Sequence, residues 1–321
     1  MTRSNLRRFS SWPLAAGLLL TIACSQPTPE AEPGAPEAEA AAEAAATWIV
    51  FSSSRSGNGD LWAIQPETGE LQRVTLHEEA DYAPQYAAAA RRLLFASERT
   101  DPVALFAMPD AEADIDAAAE RLYDNPAGEE VPRYSADGSE VVYVSVQSGN
   151  SDIYVAPLDG LTPDFSIAER LTDLPSIEKQ PRFSPDGRSI VYVSDLEGQQ
   201  DLFVLDRDAG TTRNVTNHPA LEGHPEWSPD SKTLLFYRFE DGDADLYTIA
   251  TDGTGAAVNV TQSEGNELVG RFSPDGLQIA FGSARTGDWE LFLMQADGTN
   301  VRQLTEMEGF DGDPVFMPVV W

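Results

Sequence analysis

Residues 181–216, PRFSPDGRSIVYVSDLEGQQDLFVLDRDAGTTRNVT, read as four short β-strands with a turn signal after each of the first three. Arg182-Phe183 ends the first strand. Ser184-Pro185-Asp186-Gly187 then makes a tight turn, with Pro suited to its second position and Gly tolerant of positive φ near its end. Ile190 to Ser194 is an apolar second strand and Asp201 to Leu205 a third. Asp206 to Gly210 turns the chain into a fourth, Thr211 to Thr216. A lone sheet this small leaves both faces wet, so it must stack on copies of itself.

The copies are in the chain. Aligned on the Pro before the first turn, the unit recurs at Pro84, Pro132, Pro181, Pro225, Gly270 and Pro314, in steps of 48, 49, 44, 45 and 44 residues. A period in that range at four strands per unit is the mark of a β-propeller. The turn returns as Ser135-Ala136-Asp137-Gly138, Ser228-Pro229-Asp230-Ser231 and Ser273-Pro274-Asp275-Gly276. An acid precedes an apolar residue and an aromatic at Asp60, Asp152, Asp201, Asp245 and Glu290, opening the third strand. Thr75, Thr172, Thr216, Thr261 and Thr305 end the fourth.

The two ends decide the blade count. Trp48 to Phe51 matches a second strand without a first, and Pro314 to Pro318 matches a first strand without a second. Each end supplies what the other is missing. The expected fold is therefore all-β, a six-bladed propeller over residues 48–321 whose terminal strands share one blade and close the ring.

The second blade departs from the pattern. Its turn is Ala87 to Ala90, and Ala104-Leu105-Phe106 lacks the acid. Ala111 to Arg121 is rich in helix formers, which predicts a local helical insertion or a long loop; Asp164 to Arg170 is a smaller insertion of the same kind.

Ahead of the propeller, residues 1–23 have the features of an export signal. Arg3, Arg7 and Arg8 form a basic head, and Trp12 to Ala23 is an apolar run short for a membrane span. The segment resembles a bacterial lipoprotein signal, in which the only cysteine, Cys24, would be acylated and become the mature N-terminus; Thr21 stands where Leu is usual. In that resemblance Ser25 implies the outer membrane. The other reading is an ordinary secretory signal, with a soluble periplasmic or secreted product and an incidental Cys24. Residues 24–47 are Ala, Glu and Pro with no aromatic, a disordered tether by composition.

The net charge is −32, and the signal segment holds three arginines and no acid, leaving 53 acids against 18 Lys and Arg. That excludes nucleic acid and anionic headgroups as natural partners. Acids decorating the loops account for the charge, and a basic partner would also suit it.

Catalytic signatures are few. The sequence has no Gly-x-Ser-x-Gly elbow and no phosphate-cradling glycine loop, and His77, His218 and His224 have no ligand spacing. Asp241-Gly242-Asp243-Ala244-Asp245 alternates carboxylates, but Asp245 is explained by the repeat. No cofactor and no metal are expected.

The recurring polar residues read as structural. Asp137, Asp186, Asp230 and Asp275 should accept hydrogen bonds from their own turns. Ser97, Ser145, Ser194 and Ser283 should tie loops, and Arg55, Arg99 and Arg285, two residues further on, should pair with acids. Tyr134, Phe183, Trp227 and Phe272 should fill gaps between blades.

Together, the Ser-Pro-Asp-Gly turns, the Asp-Leu/Ile-aromatic strands and the terminal Leu/Val-Thr pairs resemble the propeller repeat of the TolB family, over about residues 48–321. The resemblance implies a periplasmic protein of the Tol-Pal type, binding a peptidoglycan-associated lipoprotein. Here a signal and tether stand where TolB carries an α/β domain. Similar repeats occur in propellers attached to peptidases and in sugar-processing lyases.

Function is sought in residues that do not repeat. The loops entering the innermost strands carry Tyr82, Glu130, Lys179, Gln180, His224, Glu267, Asp311 and Asp313, which should converge on an axial funnel fit for a peptide or protein surface. The expectation is a monomeric, non-catalytic envelope lipoprotein acting as a protein-binding scaffold, touching the membrane only through its lipid. The alternative is a lyase-like carbohydrate enzyme using His224 and a metal among the axial acids.

Overall fold

The computed structural model describes residues 47–110, 118–124 and 132–318. The signal, Cys24, the tether up to residue 46, Glu130 and residues 111–117 of the expected insertion lie outside them.

Six antiparallel sheets make the molecule. The first joins both ends of the propeller sequence: β1 (Thr47–Ser53), β2 (Asp60–Ile64), β3 (Leu71–Arg73) and, inside them, β25 (Asp311–Pro318). Val50 lies opposite Val315 and Thr47 opposite Pro318. The second is β4 (Asp81–Ala87), β5 (Arg92–Ser97), β6 (Ala104–Pro109) and β7 (Glu120–Asp124). The third is β8 (Arg133–Tyr134), β9 (Glu140–Ser145), β10 (Asp152–Asp159) and β12 (Glu169–Arg170), with a short hairpin strand β11 (Thr162–Pro163). The fourth is β13 (Glu178–Phe183), β14 (Ser189–Ser194), β15 (Asp201–Asp206) and β16 (Thr211–Asn214). The fifth is β17 (Leu221–Trp227), β18 (Thr233–Glu240), β19 (Asp243–Ala250) and β20 (Val258–Asn259). The sixth is β21 (Glu267–Phe272), β22 (Gln278–Ser283), β23 (Glu290–Gln295) and β24 (Arg302–Gln303).

Glu120 and Arg121 belong to β7, so the end of the expected helical insertion is strand. The smaller insertion holds a single turn of 3-10 helix at Phe165–Ile167, whose Asp164 accepts from the Ser166 amide. Phe165 turns its ring edge to Tyr143 and Tyr123, which gives this insertion a packing role.

The core lies between blades, as alternation along each strand requires. Val191, Val193, Leu202 and Val204 of the fourth blade meet Trp227, Leu234 and Phe236 of the fifth. Phe183 packs on Val142, Val144 and Val155 of the third. Similar clusters join the first blade to the second and, through Ile49, Phe51, Leu291 and Leu293, the sixth to the first. The ring is closed.

The repeat residues have local duties. In the turns, the Ser184 hydroxyl donates to Asp186 at 2.6 Å and the Arg188 amide donates to the same oxygen at 3.1 Å. Asp137, Asp230 and Asp275 do the same in their blades. The closing threonines accept third-strand amides: Leu61 to Thr75, Ile153 to Thr172, Leu202 to Thr216, Leu246 to Thr261 and Leu291 to Thr305, all at 2.9–3.0 Å. Among the described residues a fully buried acid stands at or next to the start of the innermost strand in five blades, and four of these bind an arginine: Asp81 to Arg99, Glu222 to Arg238, Glu267 to Arg285 and Asp311 to Arg55. Each of those arginines lies over the third-strand aromatic, at 4.9 Å for Arg55 on Trp62 and 4.5 Å for Arg238 on Tyr247. In three of the acid-apolar-aromatic motifs the aromatic thus supplies a face for a buried guanidinium, at Trp62, Tyr247 and Phe292.

Candidate functional site

A bulge in the innermost strands makes the axial site. Pairing with the second strand slips between Tyr82 and Gln85, Lys179 and Arg182, Gly223 and Glu226, and Leu268 and Arg271, and β1 slips against β25 between Val50 and Ser52. At each slip one residue has positive φ: Ala83, Gln180, His224, Val269 and Asp313, at 48–55°. None is Gly, so each stands in a sparsely populated backbone region held by its surroundings. An extra residue in one strand re-aims the side chains around it. In the fifth blade the neighbouring Gly223 has no room for a side chain, since an added Cβ would fall 2.7 Å from the Tyr237 ring, which also flanks His224.

The bulged residues wall a cavity of about 360 Å³ with Tyr82, Arg133, Arg182 and Arg271. A second space, about 190 Å³, shares Arg133, Arg182 and Arg271 and adds Gln85, Glu226 and Val315. These six occupy one register position, the residue directly after the aligned Pro or Gly. The axis is thus lined by two successive rings of side chains, one from each bulge and one from two residues beyond it.

The second ring is rich in charge. Arg182 and Arg271 both reach Oε2 of Glu226, at 3.4 and 3.3 Å, and Arg271 also donates to the Gly270 carbonyl. Burial, then Arg271 and Arg133, push the proton affinity of Arg182 well below the usual guanidinium value, against Glu226 and Asp313. A guanidinium stays charged in protein, so the direction of the shift reflects first the cost of burying it and then the crowding of like charge. Burial and the arginines Arg271, Arg182 and Arg133 bring His224 down to about 3, leaving a neutral imidazole; the backbone amide of His224 donates to Gln180 Oε1 at 2.8 Å. Burial raises the Asp313 carboxyl, opposed by those arginines.

Of the residues expected at a funnel, Tyr82, Gln180, His224 and Asp313 line the cavity. Lys179 is half-buried in β13 beside its bulge and outside the wall. Glu267 and Asp311 are a correction. Both are fully buried, and both are tied to arginines at the far end of the second strand, Glu267 also accepting from Ser283 at 2.8 Å. Each stands two residues before its bulge, and the bulge breaks the alternation that would put the two on one face. These residues also sit in strands, where loops were expected, because the innermost strands begin before the bulge. The sequence reading missed Arg133, Arg182 and Arg271, although their shared position after Pro132, Pro181 and Gly270 was there to be read.

Elsewhere, Asp243 accepts the Ala244 and Gly265 amides and Asp245 accepts Asn259, Thr261 and Ser263, so those carboxylates bind their own hairpin. Among the described residues no three His, Cys, Asp or Glu side chains gather in a metal-ligating group.

Six four-stranded blades around a polar axis define a β-propeller with an axial cavity. The sequence model of the TolB β-propeller domain matches residues 113–266 and 223–319, and the chain belongs to that family. No curated protein matches it. Among solved structures it is similar to TolB from Acinetobacter baumannii, at 18% identity and TM-score 0.70, covering 84% of this chain and 66% of that one. It therefore spans just under two thirds of that protein. A putative TolB from Agrobacterium tumefaciens gives 23% identity and TM-score 0.64, over 83% of this chain and 90% of that one. An oligogalacturonate lyase in complex with manganese has 12% identity and TM-score 0.52, over 81% of this chain and 73% of that one, a likeness of fold alone.

Proposed function

We propose that this protein is a non-catalytic binding scaffold of the bacterial cell envelope, presenting the axial cavity to a protein partner and anchored by a lipid on Cys24. The carrying observation is the cavity itself, whose wall of Tyr82, Gln180, His224, Asp313 and three arginines comes from different blades. Such convergence of varied polar groups in a concave site suits recognition. His224 is an imidazole held neutral down to about pH 3 by burial and three arginines, a weak base with no carboxylate hydrogen-bonded to it among the described residues, which favours binding over proton transfer. Membership of the TolB family supports the envelope location, and a partner resembling a peptidoglycan-associated lipoprotein follows from that family likeness.

The test is recovery of partners from detergent-solubilised envelopes, comparing the native lipoprotein with a variant carrying Gln180→Ala, His224→Ala and Asp313→Ala. One envelope protein recovered in stoichiometric amount and lost with the variant is the expected result. Equal recovery by both would move the interface off the axis. No specific partner at all, together with glycan turnover sensitive to chelator and to His224→Ala, would replace the scaffold with a lyase.

A further inference from the structure

We propose that Arg133, Arg182 and Arg271 form a carboxylate-binding site on the propeller axis, filled by an acidic side chain or chain terminus on an extended segment of the protein partner. The carboxylate chemistry stands on the geometry below; its source in a protein rests on the scaffold reading.

Other buried arginines of this molecule are paired one to one. Arg99, Arg238 and Arg285 each meet a fully buried acid of their own at 2.7–3.1 Å, with an aromatic ring beneath. The axis breaks that rule. Arg182 and Arg271 share one oxygen of Glu226 at longer range, and that oxygen has no aligned hydrogen bond. The Arg182 side chain is only 14% exposed, yet among the described residues its guanidinium donates no hydrogen bond. A guanidinium offers five donors in a fixed fork, and its preferred acceptor is a carboxylate engaging two of them at once.

Charge points the same way. Among the described residues, Arg133, Arg182 and Arg271 crowd one well with Glu226 and Asp313, inside a chain of net charge −32. An anion entering there would relieve the repulsion among the guanidiniums. The space of about 360 Å³ accepts a side chain or a short chain end and no folded unit. With an acidic exterior repelling compact anions at a distance, a carboxylate on a slender segment is the one best able to reach the well.

The full-length lipoprotein in neutral detergent would be titrated calorimetrically with three probes: a short blocked peptide carrying two glutamates, its glutamine counterpart, and succinate. The glutamate peptide should saturate at one per chain, and the glutamine peptide should bind at least about tenfold more weakly. Arg182→Gln and Arg271→Gln should each cost about tenfold or more, while Arg213→Gln, at an exposed arginine of β16, should change nothing. Glu226→Gln should tighten binding about tenfold, because it removes the competing internal carboxylate. That gain separates a binding role from simple loss of structure, and unfolding midpoints check each variant. Binding of succinate without the peptide would overturn the protein source and leave a free diacid in the same site. Equal binding of both peptides, no binding of any probe, or weaker binding by Glu226→Gln would overturn the carboxylate site. Partner recovery that survives Arg182→Gln would sink this inference and leave the scaffold standing.

Discussion

At the residue scale, two sets of carboxyls respond to pH in opposite senses. Burial raises Glu222 and Glu267 to about 7, against the pull of Arg238 and Arg285. Their folded-state values exceed the ordinary 4.5, so their contribution to stability is complete below that value and lost as pH rises through about 7. The turn carboxyls of Asp137, Asp186, Asp230 and Asp275 are lowered, chiefly by the serine hydroxyl each accepts. Their contribution is present above the ordinary aspartate range and lost only as pH falls through the depressed values. The unfolding midpoint should therefore be higher near pH ~5.5 than near pH ~8. Glu222→Gln combined with Glu267→Gln should flatten that difference. A native midpoint that is constant or rises over the interval would contradict the assignment.

At the scale of the element, the bulged innermost strand is the unit that builds the site. Ala83 occupies the left-handed region at φ 52°, where an L-residue costs roughly 1–2 kcal/mol. Ala83→Gly should raise stability by about 1 kcal/mol, while Ala280→Gly, in the ordinary buried strand β22, should lower it by about as much. Chemical denaturation of the two variants would decide it; equal destabilisation would mean that the bulge is not strained. The same element marks where the sequence stops being legible. Ser184-Pro185-Asp186-Gly187 announces its turn because the turn chemistry is local, and the blades could be counted from it. The bulge gives no such notice. Positive φ is usually advertised by Gly or Asn, and here it falls on Ala83, Gln180, His224, Val269 and Asp313. Without the bulge, Glu267 and Asp313 look like neighbours in one funnel, although one is locked inside its blade and the other faces the axis. Arg182 was visible at its register position, but recurrence at Arg133 and Arg271 resembled the structural repetition seen in Arg55 and Arg99. What distinguishes Arg182 and Arg271 is that they share one oxygen of Glu226 where Arg238 and Arg285 each have a buried acid of their own, a fact of packing alone.

For the whole molecule, closure depends on β25 lying inside β1. Without β25 the first blade loses its innermost strand, β1 gains an open edge, and the clusters holding Phe316 and Met317 lose part of their packing. Deletion of residues 311–321 should abolish the single cooperative unfolding transition, as followed by circular dichroism and calorimetry together. A truncated chain that still melted in one sharp step near the native midpoint would show the other five blades to be self-sufficient.

β25 also brings Asp313 and Val315 to the axis, so the pocket is complete only once the two ends of the propeller sequence have met. Occupancy and seam closure are then thermodynamically linked: whatever binds there favours the shut ring by its preference over the open one. A ligand bound there would act as a latch. Amide exchange at Ile49 and Val50, facing β25 across the seam, should slow when the well is filled, and a partner on this face would register whether the propeller has been fully assembled.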